Sequence, residues 1–368
     1  MRLFFYKIFF LSIILITLIF DSKSQESRII NNTNIESKLY YGAILKHRSS
    51  LGYYIKDHVP ALEINYNIHT QGNKIYHQVF RFPTVGFGYY FSDLGNPQVL
   101  GNAHVIFSFI NIPIIKTNKL SFNYKISYGF SYLTKCFDIE NNYYNTAIGS
   151  KANVYINLGL NFRIRITKRL VFTNGISIAH FSNGALKVPN LGINVVSYDI
   201  GLQYKLNNYF NKTNKMQLPV FNKRNEYSII FSNGIKEIQP PAEKKYYVFD
   251  FCFNAERIIN YKRKLGAGID IFYDNSIYQQ FKNDSINATY KDILRFGFHL
   301  SNDLVFNKIS MTIQQGVYFY QKYLKDGYFY SRYGLKYSVS NRIFVCFTLK
   351  THLFKADFME LGIGCLIK

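Results

Sequence analysis

The sequence has no tryptophan, only four cysteines, and half as many acidic as basic residues. The cysteines are far apart and include no Cys-x-x-Cys pair, so their spacing excludes the common zinc sites. The chain also lacks a Walker-type phosphate loop, a glycine-rich dinucleotide loop and a His-Glu-x-x-His motif. We therefore expect no cofactor and no metal.

The 44 Lys and Arg residues against 22 Asp and Glu residues give a formal net charge of +22. A charge of this sign can indicate nucleic acid, anionic lipid or an acidic substrate as the partner. The chain is rich in Asn, Ile, Lys, Tyr and Phe, which is typical of AT-rich genomes, and no basic segment with interleaved stacking aromatics stands out. We attribute the charge to codon usage and to phosphate-bearing membrane lipids, and we expect no nucleic acid partner.

Residues 1–24 have the three parts of a secretory signal peptide. Arg2 and Lys7 precede an apolar run from Ile8 to Phe20, and small residues come shortly before Gln25. The run is shorter than the ~20 apolar residues that a membrane-spanning helix needs. The pattern therefore predicts export through a cleaved signal rather than a retained anchor.

Long stretches of the chain alternate apolar and polar residues with a period of two, which predicts β-strands. Between Phe122 and Tyr132 every even position is large and apolar, and the odd positions are Asn, Lys, Ser or Gly. The segment from Val154 to Ile166 repeats this pattern. Strands this long exceed the roughly five or six residues typical of globular proteins, and they suit a tilted crossing of a bilayer.

About sixteen such strands follow one another, the third of them expected from Val79. The links after even-numbered strands are mostly short, whereas those after odd-numbered strands, such as 135–149 and 275–290, are often long. Short turns on one side and long loops on the other are typical of outer-membrane barrels. The sequence thus predicts an all-β fold, an antiparallel transmembrane β-barrel of about 14–16 strands in the bacterial outer membrane.

The polar connection 207–225 breaks this alternation, because it is long and yet falls on the side of the short turns. It separates residues 25–206, with eight predicted strands, from the additional barrel strands of residues 226–368. One large barrel is the favoured arrangement, and two linked eight-stranded modules are the alternative.

His180 and Ser182 share the parity of the apolar positions Ile176 and Ile178. Both are therefore predicted to project from the lipid-facing wall, near the extracellular end of a strand. Side chains at i and i+2 are neighbours on one face, as a general base and its nucleophile must be. Asp199 has the opposite parity on the next strand and is expected in the lumen.

The run His-Phe-Ser-Asn-Gly at residues 180–184, followed by Pro-Asn-Leu-Gly at residues 189–192, resembles a family signature. It is similar to the His-x-Ser-Asn and Asn-x-Gly motifs of the lipid A 3-O-deacylase (PagL-like, acyloxyacyl hydrolase) barrels. The resemblance covers the chain from about Leu39 to Leu206. It implies an outer-membrane esterase that removes an ester-linked 3-hydroxyacyl chain from lipid A, by a serine-hydrolase mechanism without a metal.

The resemblance also implies roles for individual residues. His180 would be the general base and Ser182 the nucleophile, while Asn190, helped by Asn183 or nearby backbone N–H groups, would hold the oxyanion. The implied partner is lipid A or lipopolysaccharide in the outer leaflet. A second Phe-Ser-Asn-Gly at residues 231–234 lacks the histidine and is interpreted as structural.

The sequence departs from the family at Asn194, where the family has the glutamate of its triad. An Asn oxygen can accept the N–H of His180 and orient the ring, but it supplies no charge to the imidazolium. Three alternatives follow, in descending order of preference: a slower His–Ser dyad oriented by Asn194, an acid supplied from elsewhere, and an inactive homologue.

Two functions without catalysis stay open as rivals. A porin or channel would use a polar lumen, with residues such as Arg163, Arg295 and His299 lining it. An adhesin or structural barrel would act through the long loops. The sequence also leaves a homodimer open.

Overall fold

The computed structural model describes residues 32–206, 213–239, 244–353 and 355–367. The predicted signal peptide, residues 1–24, lies outside these ranges, as does the first part of the polar connection. No helix in the described ranges is long and apolar enough to cross a membrane.

In these described ranges sixteen antiparallel strands form two closed barrels of eight strands each. The first barrel consists of β1 (Thr33–Ile44), β2 (Val59–His69), β3 (Thr84–Ser92), β4 (Ala103–Lys116), β5 (Leu120–Leu133), β6 (Ala152–Arg165), β7 (Leu170–Ser182) and β8 (Ile193–Lys205). The second barrel consists of β9 (Arg224–Lys236), β10 (Tyr246–Asn260), β11 (Arg263–Asp274), β12 (Leu294–Phe306), β13 (Ile309–Tyr320), β14 (Phe329–Ser338), β15 (Ile343–His352) and β16 (Lys355–Leu366). Within the described ranges, two α-helices, α1 (Ile75–Val79) and α2 (Asn275–Asn283), lie in the links after β2 and β11, and a short 3-10 helix (Ser49–Tyr53) lies in the link after β1.

The predicted all-β barrel fold is confirmed, but the favoured single barrel is wrong. The alternative of two eight-stranded modules is correct, because β8 pairs back with β1 and β16 pairs back with β9. Every strand thus finds both of its partners within its own half. Alternation predicts which segments are strands, but it does not tell where a sheet closes on itself.

One strand boundary also differs from the prediction. The segment at Val79 belongs to helix α1, and β3 begins only at Thr84.

Polar and aromatic side chains fill the lumen of the first barrel. Lys38 bonds Asp199 at 2.8 Å and Lys125 bonds Glu63 at 2.6 Å, and all four side chains are buried. An eight-stranded barrel encloses only enough space for its own side chains, so such pairs pack across the interior. Asp199 lies in the lumen, as its parity predicted.

The lumen of the second barrel is organised around Arg332. Its guanidinium contacts Asp250 at 2.7 Å, Asp270 at 3.1 Å and Glu360 at 2.9 Å. All of these side chains are almost completely buried. Since a buried charge is stable only when it is paired and hydrogen-bonded, this one cation is shared by three carboxylates from three different strands and holds them together.

Apolar side chains cover the outside of both barrels. Leu160 and Phe162 on β6, and Phe249 and Phe251 on β10, are exposed, while Asn161 and Asp250 between them are buried. The alternation of the sequence therefore corresponds to an apolar outer wall and a polar lumen, which is the pattern of a barrel surrounded by lipid.

The two barrels contact each other at both ends. At the end with short turns, the Phe80 ring stacks on Phe306 with 4.4 Å between the centroids. At the end with long loops, the backbone N–H of Glu237 donates to the carbonyl of Ala185 at 3.0 Å. These contacts place the second barrel beside the loop between β7 and β8, residues 183–192, hereafter the β7–β8 loop.

We expect the substitution Arg332→Leu to lower the free energy of unfolding of the second barrel by about 3–5 kcal/mol, because it leaves buried carboxylates uncompensated. Urea unfolding in lipid bilayers, followed by circular dichroism, measures this loss. Arg342→Leu, at an exposed position in the turn after β14, is the matched control and should cost about 0.5 kcal/mol or less. Equal, small effects of both substitutions would contradict the role given to Arg332.

Candidate active site

Strand pairing brings together residues that are far apart in the sequence. His180 on β7 lies directly opposite Asn194 on β8, and the ladder between these strands has no register shift. On its other edge β8 pairs with β1, and the N–H of Leu45 donates to the carbonyl of Asn194 at 2.8 Å. Asn194 therefore lies between His180 and the start of the link that follows β1.

The side chains of His180 and Asn194 are joined by a short hydrogen bond. Nδ1 of His180 lies 2.6 Å from Oδ1 of Asn194. An amide oxygen only accepts, so the ring must carry its proton on Nδ1. Nε2 then keeps its lone pair, which is the state in which the ring can take a proton from a hydroxyl.

His47, in the link after β1, fixes which way the amide of Asn194 points. Its Nδ1 lies 3.2 Å from Nδ2 of Asn194, and its Nε2 lies 3.2 Å from the carbonyl oxygen of Leu191. A neutral imidazole with its proton on Nε2 satisfies both contacts, because Nε2 donates to Leu191 while Nδ1 accepts from Asn194. The carbonyl of Leu45 also lies 3.2 Å from Nδ1, but it accepts the backbone N–H of His47 at 2.9 Å and needs no proton from the ring. The Asn194 amide is thereby held with its oxygen towards His180.

His47 carries no motif in the sequence, and the sequence-based prediction missed it. Only the closure of the barrel between β1 and β8 brings it next to Asn194. A pairing prediction for the first and last strands of the eight could have found it.

Ser182 is held by two donors at the end of β7. Nδ2 of Asn190 donates to its Oγ at 2.8 Å, and the backbone N–H of Gly184 donates to the same oxygen at 3.2 Å. The side chain is nearly covered, with an exposed fraction of 6%. Two N–H donors therefore converge on the oxygen that would attack a carbonyl.

The side chain of Asn183 is not directed at Ser182, although it was expected to help hold the oxyanion. Its side-chain amide donates to Ser150 Oγ at 3.0 Å and to the carbonyl of Lys187 at 2.9 Å, so its N–H groups are already used. Its backbone N–H donates to Oδ1 of Asn190 at 3.3 Å and so turns Nδ2 of Asn190 towards Ser182. The expected side-chain donor is thus an orienting residue, because its amide is needed to close the loop.

Two glycines allow the β7–β8 loop to approach its neighbours closely. Gly192 has φ +76°, and a Cβ there would lie 3.0 Å from Cε1 of His180. Gly184 has φ +60°, and a Cβ there would lie 2.4 Å from Cγ of Met359 on the outer wall of the second barrel. The motif glycines thus serve the packing of the site, since only Gly adopts such a backbone conformation without strain.

His180 and Ser182 share one strand face with Ile176 and Ile178, which are exposed on the outer wall. No hydrogen bond joins the two side chains in the part of the chain that the structure describes, nor does any described carboxylate bond to His180. Contacts between base and nucleophile are often long before substrate binds. Asp199, the nearest alternative acid in the sequence, pairs with Lys38 in the lumen and lies opposite Gly175 instead.

A cluster of three side chains in the second lumen could offer metal ligands. Ligand atoms of Cys252, Asp270 and His299 lie within 4.8 Å of one another. His299 is bonded to Asp270 at 2.6 Å and to Asn254 at 2.8 Å, and Asp270 also accepts from Arg332. A guanidinium in direct contact with the carboxylate opposes a second cation, so we attribute the cluster to lumen packing.

The residues on the first barrel are suited to nucleophilic catalysis at a carbonyl. They supply a hydroxyl, an imidazole whose tautomer is set by a partner, and N–H donors directed at the nucleophile. They lie on an apolar wall, at the end of the barrel that carries the long loops.

Two family models match the chain. Residues 61–203 match the family described as lipid A 3-O-deacylase (PagL), and residues 225–368 match the acyloxyacyl hydrolase C-terminal domain. The two matches fall on the first and the second barrel. None of the curated proteins matches this chain.

Several solved outer-membrane structures are similar to parts of the chain. Neisserial surface protein A shares 9% identity over 47% of this chain and 97% of its own, with a TM-score of 0.32. The outer membrane enzyme PagL shares 15% identity over 45% of this chain and 97% of its own, with a TM-score of 0.30. The Pseudomonas putida toluene transporter TodX shares 8% identity over 91% of this chain and 88% of its own, with a TM-score of 0.18.

We expect His47→Ala to slow the reaction of Ser182 with a fluorophosphonate probe about tenfold, because a freed Asn194 amide can turn its N–H groups towards His180. Labelling rates of the purified protein measure this change. His47→Gln, whose carbonyl oxygen can accept the same N–H, should recover most of the rate. His58→Ala removes an exposed histidine of the same link and is the control. Equal rates for His47→Ala and the control would disprove the positioning role.

Proposed function

We propose that the chain is an outer-membrane esterase acting on lipid A, because its first barrel matches the lipid A 3-O-deacylase (PagL) family, its second barrel matches the acyloxyacyl hydrolase C-terminal domain, and the site geometry suits ester cleavage. The ester that it cleaves carries a 3-hydroxyacyl chain. The observation that carries the proposal is the 2.6 Å contact between Nδ1 of His180 and Oδ1 of Asn194, which leaves Nε2 free to act as a base.

The position of the site supports a membrane lipid as substrate. His180 shares the outer wall with exposed Ile176 and Ile178, and Ser182 ends the same strand where the long loops begin. An acyl chain lying in the bilayer can follow the apolar wall, while the ester at its head reaches Ser182. A soluble ester would not need this wall.

In the first half-reaction Ser182 Oγ attacks the ester carbonyl carbon and passes its proton to Nε2 of His180. The carbonyl oxygen becomes an oxyanion, and Nδ2 of Asn190 and the N–H of Gly184, which bond to Ser182 Oγ before the attack, are the neighbouring donors that turn to stabilise it. Collapse breaks the bond to the sugar oxygen, which takes the proton back from His180. The products are an acyl-serine and the lipid with one acyl chain fewer.

In the second half-reaction His180 takes a proton from water as the water attacks the acyl-serine. The same two donors hold the second oxyanion. When the intermediate collapses, Ser182 recovers its proton from His180 and the fatty acid leaves. No oxidant, metal or cofactor takes part in these steps.

Asn194 makes this a His–Ser dyad rather than a full triad. The amide orients the ring but adds no charge to stabilise the imidazolium that forms during attack, so the rate should be below that of a triad with a carboxylate. The alternative of an inactive homologue keeps the same fold, and an assay of fatty acid release decides between the two.

Side chains fill the lumens of both barrels, and this packing disfavours a channel as the function.

We expect purified wild-type protein in outer-membrane-like lipid to release 3-hydroxy fatty acid from lipid A, and Ser182→Ala to abolish this release, because no other group supplies the nucleophile. Mass spectrometry of free fatty acid and of residual lipid measures both. Ser232→Ala, in the second Phe-Ser-Asn-Gly run, is the matched control and should keep full activity, since Ser232 is buried in the second barrel. Release that persists in Ser182→Ala, or no release by wild type, would refute the proposal.

A further inference from the structure

An open groove of about 550 Å³ lies at the loop end of the second barrel. The start of β10, the end of β11 and helix α2 with the segment after it form its walls. Its described lining residues include three lysines and five tyrosines, and none of them carries a carboxylate. The groove is therefore positively charged and aromatic.

Two of the three lysines have no carboxylate partner in the described part of the chain. Lys244 lies over the ring of Tyr246 at 5.4 Å, and Lys282 lies over the ring of Tyr278 at 4.7 Å. The third, Lys245, is bonded to Glu237 at 3.1 Å and so has its charge compensated. Two ammonium groups are thus left for an anion, and phosphate is the anion that lysine commonly binds as a point charge.

The tyrosines of the groove offer flat surfaces to a ligand. Tyr278 and Tyr290 are stacked with 5.0 Å between centroids and 13° between planes. Tyr290 and Tyr247 remain 63% and 56% exposed. Tyrosine combines an apolar ring face with a polar hydroxyl, which suits the C–H face and the hydroxyl groups of a sugar ring.

Lys245 connects the groove to the candidate active site. Its ammonium donates to the carbonyl of Leu186 in the β7–β8 loop, and its partner Glu237 accepts from the N–H of Val188 at 3.1 Å. The same loop carries Asn190, which bonds to Ser182. A ligand in the groove therefore lies beside the loop that holds the nucleophile.

We propose that this groove binds the phosphorylated saccharide headgroup of the glycolipid whose ester is cleaved at Ser182. This inference rests on the proposed function. It gives the second barrel a part in substrate binding: the headgroup lies on the second barrel while the acyl chain follows the wall of the first. Lys244 and Lys282 bind the phosphate, and Tyr278 and Tyr290 contact the sugar.

The absence of tryptophan from the chain allows a direct binding assay. Tyr290→Trp keeps an aromatic face in the groove and introduces a single tryptophan. Combined with Ser182→Ala, it reports binding without turnover in the full-length protein. Lipid A with its phosphates, the same lipid after phosphatase treatment, phosphatidylglycerol and inorganic phosphate are each titrated.

We expect phosphorylated lipid A to bind about tenfold more tightly than the dephosphorylated lipid, and Lys244→Ala with Lys282→Ala to remove this preference. Lys223→Ala with Lys308→Ala deletes the same charge from exposed positions at the short-turn end of the second barrel, away from the groove, and should retain the preference. Equal affinity for the two lipids, or a preference that survives loss of Lys244 and Lys282, would overturn the proposal.

The remaining titrations identify the source of the phosphate. Equally tight binding of phosphatidylglycerol would show a general anionic-lipid surface, and equally tight binding of inorganic phosphate would show a free-anion site; either result overturns the proposal. Because binding is read without turnover, failure here leaves hydrolysis by Ser182 untouched. Conversely, a wild type that binds the headgroup but releases no fatty acid refutes only the proposed function.

Discussion

The register that closes the first barrel is the constraint on which the site depends. Because β8 pairs with β7 on one edge and with β1 on the other, Asn194 lies between His180 and the link that carries His47. The three side chains form a row in which each contact fixes the next: His47 orients the amide, the amide fixes the imidazole tautomer, and the tautomer leaves Nε2 free. A slip of one residue in this ladder would turn His180 or Asn194 to the other face of the sheet.

The second barrel gives the site its fixed surroundings. Buried Glu237 bonds to the β7–β8 loop from one side, and the outer wall at Met359 packs against Gly184 from the other. The loop carries the donors that converge on Ser182, so the distance between donor and nucleophile depends on contacts from a separate sheet. Preorganised donors act only if their positions are held in this way, since even small displacements weaken them.

Much of the fold could be predicted from residue alternation, and much of the catalytic motif from spacing on one strand. The parity of His180, Ser182 and Asp199 follows from a period of two, which the ladder keeps without a bulge. The closure of each half into its own barrel could not be predicted, because each barrel is closed by pairing between strands far apart in the sequence. For the same reason the sequence did not predict the role of His47. The side-chain hydrogen bonds of Asn183 depend on loop geometry, which residue periodicity does not predict.

Nitrogen NMR can determine whether the Asn194 amide holds His180 in the tautomer of a general base. With ¹⁵N-labelled histidine in the full-length protein, His180→Gln identifies the resonances of His180 by their loss. We expect a protonated Nδ1 and an unprotonated Nε2 for this ring at neutral pH. A ring protonated on Nε2, with Nδ1 bare, would contradict it, because such a ring cannot take the proton of Ser182.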